Sequence, residues 1–301
     1  MKRSISILCG LASMATAVAM AADVVPAKAA PAKAAPAAKT APATKAAPAT
    51  KATKATKAPR PKKIPPPPAL PVDKIVDRNI AARGGLEAWR AVNSLTMSGE
   101  MDAGGKQDAK LPFVMSMKRP QKSRLGIKFQ EQTAVQVWDG TQGWKVRPYL
   151  NRNEVENYTA AEVRSAAAAA ELDGPLVDFE RKGTKVALAG TEVVEDRNTY
   201  KLKLTLKGGE QIHLWIDAKS FLEAKIDGEP RRMDGRMRKV AVFYRDFKPV
   251  GGLQFPHTME TVVESVKGSH KMTIQAIKVN PPLDDSLFAK PQLGSVSQAA
   301  R

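Results

Sequence analysis

Histidine, cysteine and paired acidic side chains form most catalytic and metal sites. In this chain of 301 residues, few of these side chains occur at the spacings that such sites require. Its three histidines, His213, His257 and His270, are far apart, and none stands at a metal-ligand spacing from another histidine, a cysteine or a paired carboxylate. His213 precedes Leu214 in an alternating segment, which predicts an outward, solvated ring. The sequence therefore predicts no metal site and no cofactor.

Acidic residues cluster locally but do not form a recognisable catalytic pair. The clusters contain Glu154, Glu156, Asp234, Asp284 and Asp285, and each lies among charged neighbours. A paired-carboxylate enzyme needs two environments that separate the two pKa values, and these segments indicate no such pair. The chain also has no Gly-x-Ser-x-Gly motif, phosphate-binding loop or dinucleotide fingerprint. We therefore predict that the protein is not an enzyme.

The amino terminus has the pattern of a secretory signal peptide. Met1–Arg3 is positively charged, residues 4–18 are mostly apolar or small, and Ala19–Ala21 fits a small-x-small cleavage site. A membrane anchor is the alternative, but the apolar run is shorter than the roughly 20 residues that a spanning helix needs. Cys9, the only cysteine, follows a leucine and so lacks a lipoprotein signal. We predict a cleaved signal peptide over residues 1–21 and a periplasmic location.

The basic character of the chain lies largely in a tether that follows the signal peptide. Of the net charge of +18, residues 23–72 carry +9 and residues 73–301 carry +7, so a nucleic-acid-binding domain is not indicated. Residues 22–71 are rich in Ala, Lys and Pro and have few large apolar side chains, which predicts disorder. The tether is either a solvated spacer or a segment that binds an anionic envelope surface.

Alternation of apolar and polar residues dominates the chain from residue 95 onward, which is typical of half-buried antiparallel strands. Glycine-containing turns follow at Asp139–Gly140 and Lys207–Glu210. The pattern predicts about ten strands, at 95–101, 111–117, 125–129, 135–137, 200–206, 212–216, 224–226, 240–244, 259–263 and 272–276.

Helical patterns occupy two short regions. Asp73 is the expected N-cap of an amphipathic helix that Gly84–Gly85 ends, and residues 86–92 continue as a short second helix. Residues 159–172 begin with a capping box and are rich in alanine, which favours a helix. After a Gly-Pro pair, residues 176–179 are predicted to form a further helical piece.

These elements predict one α+β domain, mainly antiparallel β, over residues 72–291, with a flexible tail at 292–301. A sheet of about ten strands rarely stays open and flat, so we expect it to curl. Only the two helical regions are available to cover its apolar face. The expected fold is a strongly curved, incomplete (half) β-barrel with short helices that cover its concave face.

Several segments of this domain resemble the bacterial outer-membrane lipoprotein-sorting proteins of the LolA/LolB-like superfamily. They are Val72–Val76, Ala82–Gly85 followed by Trp89, Val137–Trp144, Gly252–Pro256 and Asp284–Pro291. The resemblance extends over nearly all of residues 72–291. Its motifs mark the fold and are not catalytic.

The resemblance implies a function without covalent chemistry. In that family, an incomplete barrel closed by helices holds the acyl chains of lipoproteins in an apolar cavity. For this chain it implies a monomeric, non-enzymatic periplasmic binding protein that acts in lipoprotein sorting, with a lipid or an acylated lipoprotein as its partner. The carrier of the family latches its lid helices with a strand arginine, for which Arg124 is a loose candidate.

The alternating strands supply the candidate cavity, and methionine suits a cavity that accepts varied apolar chains, although it also fills ordinary cores. The predicted lining residues are Leu95, Met97, Phe113, Met115, Met117, Leu125, Ile127, Phe129, Val137 and Leu204. The predicted lid residues are Ile75, Ile80, Trp89, Val163 and Leu172.

A second hypothesis is a periplasmic sensor or scaffold that binds a protein partner. Trp138 is out of phase with Val135 and Val137, so it is expected to face outward. The segment 229–238 is basic and rich in turn residues, and it is either a solvated hairpin loop or a docking site for an anionic membrane or acidic partner. The predicted docking residues are Trp138, Arg231, Arg232, Arg236 and Arg238.

Overall fold

The structure is a computed structural model, and it describes residues 65–102, 109–148, 152–233, 235–266 and 268–292. The predictions for the signal peptide, for the tether up to residue 64 and for the tail beyond residue 292 lie outside these residues. Within them, no helix has the length and apolar composition needed to cross a membrane.

Thirteen antiparallel strands form one sheet within the described residues. They are β1 (Ser94–Asp102), β2 (Lys110–Lys118), β3 (Lys122–Phe129), β4 (Gln132–Trp138), β5 (Gly143–Arg147), β6 (Arg152–Asn157), β7 (Lys185–Val194), β8 (Arg197–Thr205), β9 (Gln211–Asp217), β10 (Glu223–Met233), β11 (Arg236–Val250), β12 (Leu253–Val263) and β13 (Ser269–Val279). Their order is β6-β5-β4-β3-β2-β1-β13-β12-β11-β10-β9-β8-β7. The first strand, β1, pairs with the last, β13, at the centre of the sheet. Strands β6 and β7 remain as its two open edges, so the sheet is a curved half-barrel, as predicted.

Three of these strands were not predicted, and each lacks a clear two-residue alternation. In β5, four consecutive residues from Gly143 to Val146 are buried, because both faces of this strand are covered. The edge strand β7 is exposed along nearly its whole length, from Ala187 to Val193. Alternation identifies a strand only where one face is buried and the other is solvated.

Three α-helices in the described part of the chain cover the concave face: α1 (Val72–Ala82), α2 (Leu86–Arg90) and α3 (Ala160–Ala169). Helix α1 begins two residues earlier than predicted, so Pro71 occupies the N-cap position and Asp73 lies in the first turn, where its charge interacts favourably with the helix dipole. Gly84 and Gly85 end the helix at φ angles of 114° and 94°.

The capping box of α3 is confirmed, but the helical piece predicted after it is wrong. The Glu162 amide donates to the Thr159 hydroxyl at 3.3 Å, and the Thr159 amide donates to the Glu162 carboxylate at 2.7 Å. Residues 176–179 form turns instead of a helix, with Asp178 at a φ of 51°. Leu176 and Val177 are both fully buried, and tertiary burial therefore sets the local backbone here.

The main core lies between the concave face of the sheet and the α1–α2 region. Ile75 and Trp89 from the helices pack into the same apolar cluster as Leu202, Leu214 and Ile274 from the sheet. The strands contribute alternate residues to it because successive side chains point to opposite faces. This layered packing confirms that the helices cover the concave side.

The convex face carries a smaller core, and it corrects one predicted lining residue. Val135, Val137 and Trp144 pack there against Phe288 of a short 3-10 helix, Asp285–Phe288. Val137 pairs with Arg124, whereas Gln136 pairs with the concave-face residue Leu125. Val137 therefore does not line the concave face, because the C-terminal segment supplies a second apolar partner on the other side of β4.

The last residues of the predicted tether contact the domain. The Asn198 side-chain amide donates to the Pro65 carbonyl at 2.5 Å, and the Tyr200 hydroxyl donates to the Pro68 carbonyl at 2.8 Å. Proline lacks an amide proton but keeps its carbonyl as an acceptor, so a proline-rich segment can be held in this way. The segment 65–71 thus leads from the sheet surface directly into α1.

Candidate functional site

Six buried methionines lie side by side in the centre of the concave face. Met97 pairs with Met115, and Met272 pairs with both Met101 and Met259 across neighbouring strands. Each of them is at most 3 % exposed, and the set, which we call the methionine floor, is Met97, Met101, Met115, Met117, Met259 and Met272. Methionine is unbranched and polarizable, so this floor can adapt to apolar chains of different shape.

The other predicted lining residues surround the methionine floor, with the one exception of Val137. Phe129 is partly buried against the same cluster. The remaining five, which are all buried in it, are Leu95, Phe113, Leu125, Ile127 and Leu204. The sequence therefore identified one continuous apolar surface.

The predicted lid residues of α1 and α2 and of the loop after α3 lie over this surface. Ile75 and Trp89 are fully buried, and the Trp89 ring packs edge-on against Phe255 with centroids 5.3 Å apart. Ile80 is partly buried against the same core, and Leu172 belongs to it. These side chains cover the floor with apolar atoms rather than leaving it open to water.

Helix α3 crosses the open side of the half-barrel and contacts strands on both sides of the opening. Lys145 of β5 forms an ion pair with Glu162 at 2.5 Å, and the Ser165 hydroxyl donates to Glu229 of β10 at 2.5 Å. Burial of Glu162 opposes ionisation, but the hydrogen bonds from Lys145 and from Thr159 outweigh it and lower its pKa. The helix is thus held at both ends of the gap by polar contacts.

Trp138 faces this helix, which contradicts its predicted role as an exposed docking residue. Its side chain is 3 % exposed and packs with Ala166 and Ala170, and Val163 of the predicted lid is partly buried beside it. The error follows from β4, where Val135 and Val137 were assigned to the concave face. Because those two residues face the convex side, Trp138 faces the concave one.

A buried arginine joins the helices to the sheet beneath the lid. Arg83, at 0 % exposure, donates to the Asp173 carbonyl at 2.8 Å, and its guanidinium lies 4.2 Å from the centre of the Trp89 ring. Its Nε is 3.3 Å from Glu223 Oε1, without hydrogen-bond geometry among the described atoms. Burial and the neighbouring Glu223 raise the pKa of Tyr244 well above its usual value, despite the opposing charge of Arg83.

Asp173, in the loop after α3, forms ion pairs with two basic side chains at the edge of the lid. Its carboxylate accepts hydrogen bonds from Arg119 at 2.9 Å and from Lys182 at 2.5 Å. Burial opposes its ionisation, but the charge and hydrogen bond of Lys182, together with Arg119, lower the pKa of Asp173. Arg119 also donates to the Val92 and Trp89 carbonyls, so this cluster ties the loop to α2 and to β2.

Arg124 does not latch the lid. It lies on the convex side of β3, where its Nη1 is 3.5 Å from the Leu287 carbonyl and burial lowers its pKa. Arg119 and Arg83 occupy the positions between sheet and lid instead. A charged residue that precedes its partner by about 90 positions, as Arg83 precedes Asp173, gives no local signal in the sequence. The only pointer to Arg83 was its place before the glycines that end α1.

The methionine floor is covered in this structure, since none of its side chains is more than 3 % exposed. A small space of about 10 Å³ lies nearby, beside Glu223 and Tyr244 and between Pro175 and Leu214. This volume corresponds to about one water molecule. An acyl chain can therefore reach this part of the concave face only if the loop after α3 moves away.

A larger concavity of about 580 Å³ lies on the convex face. The face of the Trp215 ring in its wall is covered by a lysine side chain. Lys225 lies 3.7 Å from the centre of the Trp215 ring, and the Trp215 indole donates to Glu192 at 2.9 Å. His213 also lines it and contacts Asp227 at 2.8 Å, in agreement with its predicted outward orientation. The mixed charges and the filled ring face make this a polar surface groove rather than an acyl site.

The four predicted docking arginines lie on one hairpin. Arg231 pairs with Arg238 across strands β10 and β11, Arg232 pairs with Met237, and Met233 pairs with Arg236. The predicted loop is thus largely an extension of the two strands, within the residues described on either side of position 234. Arg232 and Arg236 are exposed, and Arg231 and Arg238 are half-buried.

Known proteins resemble this chain mainly in structure. A family model described only as an uncharacterized protein matches residues 177–295. No curated protein matches the sequence. A domain from Vibrio parahaemolyticus assigned to outer-membrane lipoprotein sorting has a TM-score of 0.52 at 11 % identity, over 75 % of this chain and 97 % of that one. A DUF1329 family protein from Desulfovibrio piger has a TM-score of 0.52 at 14 % identity, over 73 % and 97 %.

A LolA superfamily protein from Nitrosomonas europaea is similar over 74 % of this chain and 99 % of its own, at 16 % identity and a lower TM-score of 0.49. Identities this low speak to fold and leave ligand and activity open. Together with the open thirteen-stranded sheet and its covering helices, the two similarities with higher scores confirm the resemblance. The described part of the chain has a LolA-like fold.

Proposed function

We propose that this protein is a periplasmic, non-enzymatic binding protein that holds an acyl-bearing ligand, a lipid or the acyl chains of a lipoprotein, against the methionine floor. The single observation that carries the proposal is that floor: six adaptable apolar side chains on four neighbouring strands, under a layer held in part by polar contacts. The similarity to a domain assigned to lipoprotein sorting supports this choice of ligand class.

Binding would exchange the apolar cover of the floor for an apolar chain. Each methylene removed from water contributes about 0.8 kcal/mol, so an acyl chain can offset the cost of moving the lid. The free-energy cost of moving the lid is limited, because the loop after α3 is held at the lid edge by polar contacts, and water can replace these contacts. We assign this movement to the segment from Leu172 to Thr184 and to α3, whose polar anchors are Asp173 and Glu162.

The N-terminal segments would place this activity outside the cytoplasm. We propose that residues 1–21 are removed during export and that residues 22–64 tether the domain or bind an anionic envelope surface. Peptide mapping of the protein from a periplasmic extract tests the first point, with Ala22 or a neighbouring residue expected at the mature amino terminus. A mature protein that retains Met1 would contradict it.

A charge on the methionine floor tests the ligand site. We expect Met115→Glu to abolish co-purification of lipid or acylated peptide, measured by native mass spectrometry of protein extracted without detergent. The matched control is Val114→Glu on the same strand, because Val114 is 47 % exposed on the opposite face. It should retain the ligand.

The comparison is informative only for folded protein, so circular dichroism and thermal unfolding accompany both variants. If Met115→Glu destabilises the domain too far, Met115→Gln provides a milder polar change with the same expectation of weaker binding. Equal ligand loading in a folded Met115→Glu variant and in the wild type would contradict the proposed site. A wild-type protein that carries no ligand and takes up no added lipid would contradict the function itself.

A further inference from the structure

The hairpin formed by the ends of β10 and β11 extends beyond its neighbours in the sheet. Val240 is the first β11 residue paired with β12, at Val263, so residues 229–239, which we call the arm, pair only with each other in the ladder of the described strands. The amide and carbonyl of Lys239 meet Glu264 in the adjacent turn at the base of the arm. The arm therefore projects from the rim of the half-barrel.

Exposed apolar side chains concentrate at this rim. Among the described residues, six large hydrophobic side chains are exposed, and three of them lie on the arm or the adjacent turn. Met237 is 58 % exposed, Met233 is 36 % exposed, and Val266 of the β12–β13 turn is 39 % exposed. Exposed apolar groups gathered on neighbouring turns mark an interaction surface more often than scattered ones do.

Basic residues surround these apolar tips. The arm contains five basic residues and two acidic ones, a net charge of +3. The pairing of Arg232 with Met237 and of Arg236 with Met233 puts a cation beside each methionine, one pair on each face of the hairpin. Each face of the arm thus presents one apolar and one cationic side chain.

We propose that the arm docks on an anionic lipid surface, with Met233 and Met237 entering the edge of the hydrocarbon layer and Arg232 and Arg236 contacting lipid phosphates. Five residues of strand reach about 16 Å, whereas the headgroup layer on each side of a bilayer is roughly 5 to 8 Å thick. The tip can therefore reach the hydrocarbon while the sheet stays in water. A bilayer satisfies both kinds of side chain at once, because phosphates lie directly above hydrocarbon.

The base of the arm touches the proposed lid, because Glu229 accepts a hydrogen bond from Ser165 of α3. Its tip is separate from the acyl site, since Met233 and Met237 are exposed whereas the methionine floor is buried in the core. An acidic protein would match the charge of the arm. It would not by itself explain two exposed methionines on opposite faces of one hairpin. We therefore favour lipid, and the test distinguishes the two partners.

The test uses the full chain and sedimentation with phosphatidylcholine vesicles that contain about 30 % phosphatidylglycerol. Arg232→Gln combined with Arg236→Gln should weaken binding about 30-fold at low salt, because each neutralised cation is worth roughly a fivefold change. Met233→Gln combined with Met237→Gln should weaken it roughly tenfold through lost apolar insertion. The matched control removes two exposed charges from the far end of the sheet, Lys219→Gln with Lys248→Gln, and should leave arm docking unchanged.

Because the basic tether could bind the same vesicles, a second readout reports on the arm alone. Met237→Trp should show a blue-shifted emission on binding and quenching by brominated lipid, while the four native tryptophans, all buried, should not. Vesicle binding that is unchanged in both arm variants would overturn the proposal, as would an absence of quenching at position 237. Capture of an acidic protein by a wild-type arm that does not bind vesicles would assign the arm to a protein partner instead.

Discussion

The buried contact of Arg83 with Glu223 offers the sharpest test of how the helices are held on the sheet. Arg83→Met removes the charge and keeps a similar apolar length. The Glu223 carboxylate then remains buried without its cation, and the Asp173 carbonyl loses a donor at 2.8 Å. Breaking one side of a buried ion pair costs about 3 to 5 kcal/mol.

The same reasoning predicts that a second substitution repairs the first. In Arg83→Met with Glu223→Met no uncompensated charge remains, so the double variant should be more stable than Arg83→Met alone. The matched control is Arg78→Met, also on α1, whose exposed guanidinium lies 5.0 Å from the centre of the Phe221 ring. Loss of that contact should cost less than about 1 kcal/mol.

The assays are urea unfolding and thermal unfolding of the full chain at neutral pH, both followed by tryptophan fluorescence. A loss of 3 to 5 kcal/mol should lower the melting temperature by about 10 °C in a domain of this size. The reasoning fails if Arg83→Met costs no more than Arg78→Met. It also fails if adding Glu223→Met brings no recovery, because the penalty would then come from lost packing and not from a buried charge.

Two further predictions follow from ionisable groups near the lid and the arm. Asp173→Asn should destabilise the domain at neutral pH. Because the pKa of Asp173 is lowered by folding, its contribution is full above its unfolded pKa of about 3.9 and is lost as the pH falls below that value. The stability difference between wild type and Asp173→Asn should therefore shrink below about pH 4, and a constant difference would contradict it. Burial, then the charge of Arg231, lowers the pKa of His270, so Arg231→Ala should raise that pKa in an NMR titration, whereas an unchanged value would show that Arg231 lies too far away.

Much of the fold was predictable because strands and turns leave local patterns. Alternation located ten of the thirteen described strands, and the capping box of α3 and the Lys207–Glu210 turn form as expected. The strands that were missed, such as β7, have no single buried face and so no alternation. The alternation of apolar and polar residues indicates a strand with one buried face. It does not identify a strand that lies at an edge of the sheet or is covered on both faces.

The candidate site was predictable only as a set of apolar strands. Met97 and Met115 were correctly assigned to one surface, because the period of two puts each on the same face as its alternate neighbours. The pattern could not say which face of β4 is concave. Val137 and Trp138 were exchanged for this reason, since both faces of that strand are apolar and each finds a cover.

The sequence by itself determined a half-barrel fold class and a methionine-rich apolar surface, because each follows from the local alternation of residues. The export signal and the basic tether also come from the sequence, and they stay predictions. Only the tertiary structure decided what holds the lid and what the rim presents. Arg83 contacts Asp173, which lies 90 positions further along the chain, and Arg119 contacts Asp173 from 54 positions before it. The arm likewise becomes a projecting surface only because β12 ends beside Val240. Such features depend on which distant segments become neighbours, and no local pattern of residues encodes that.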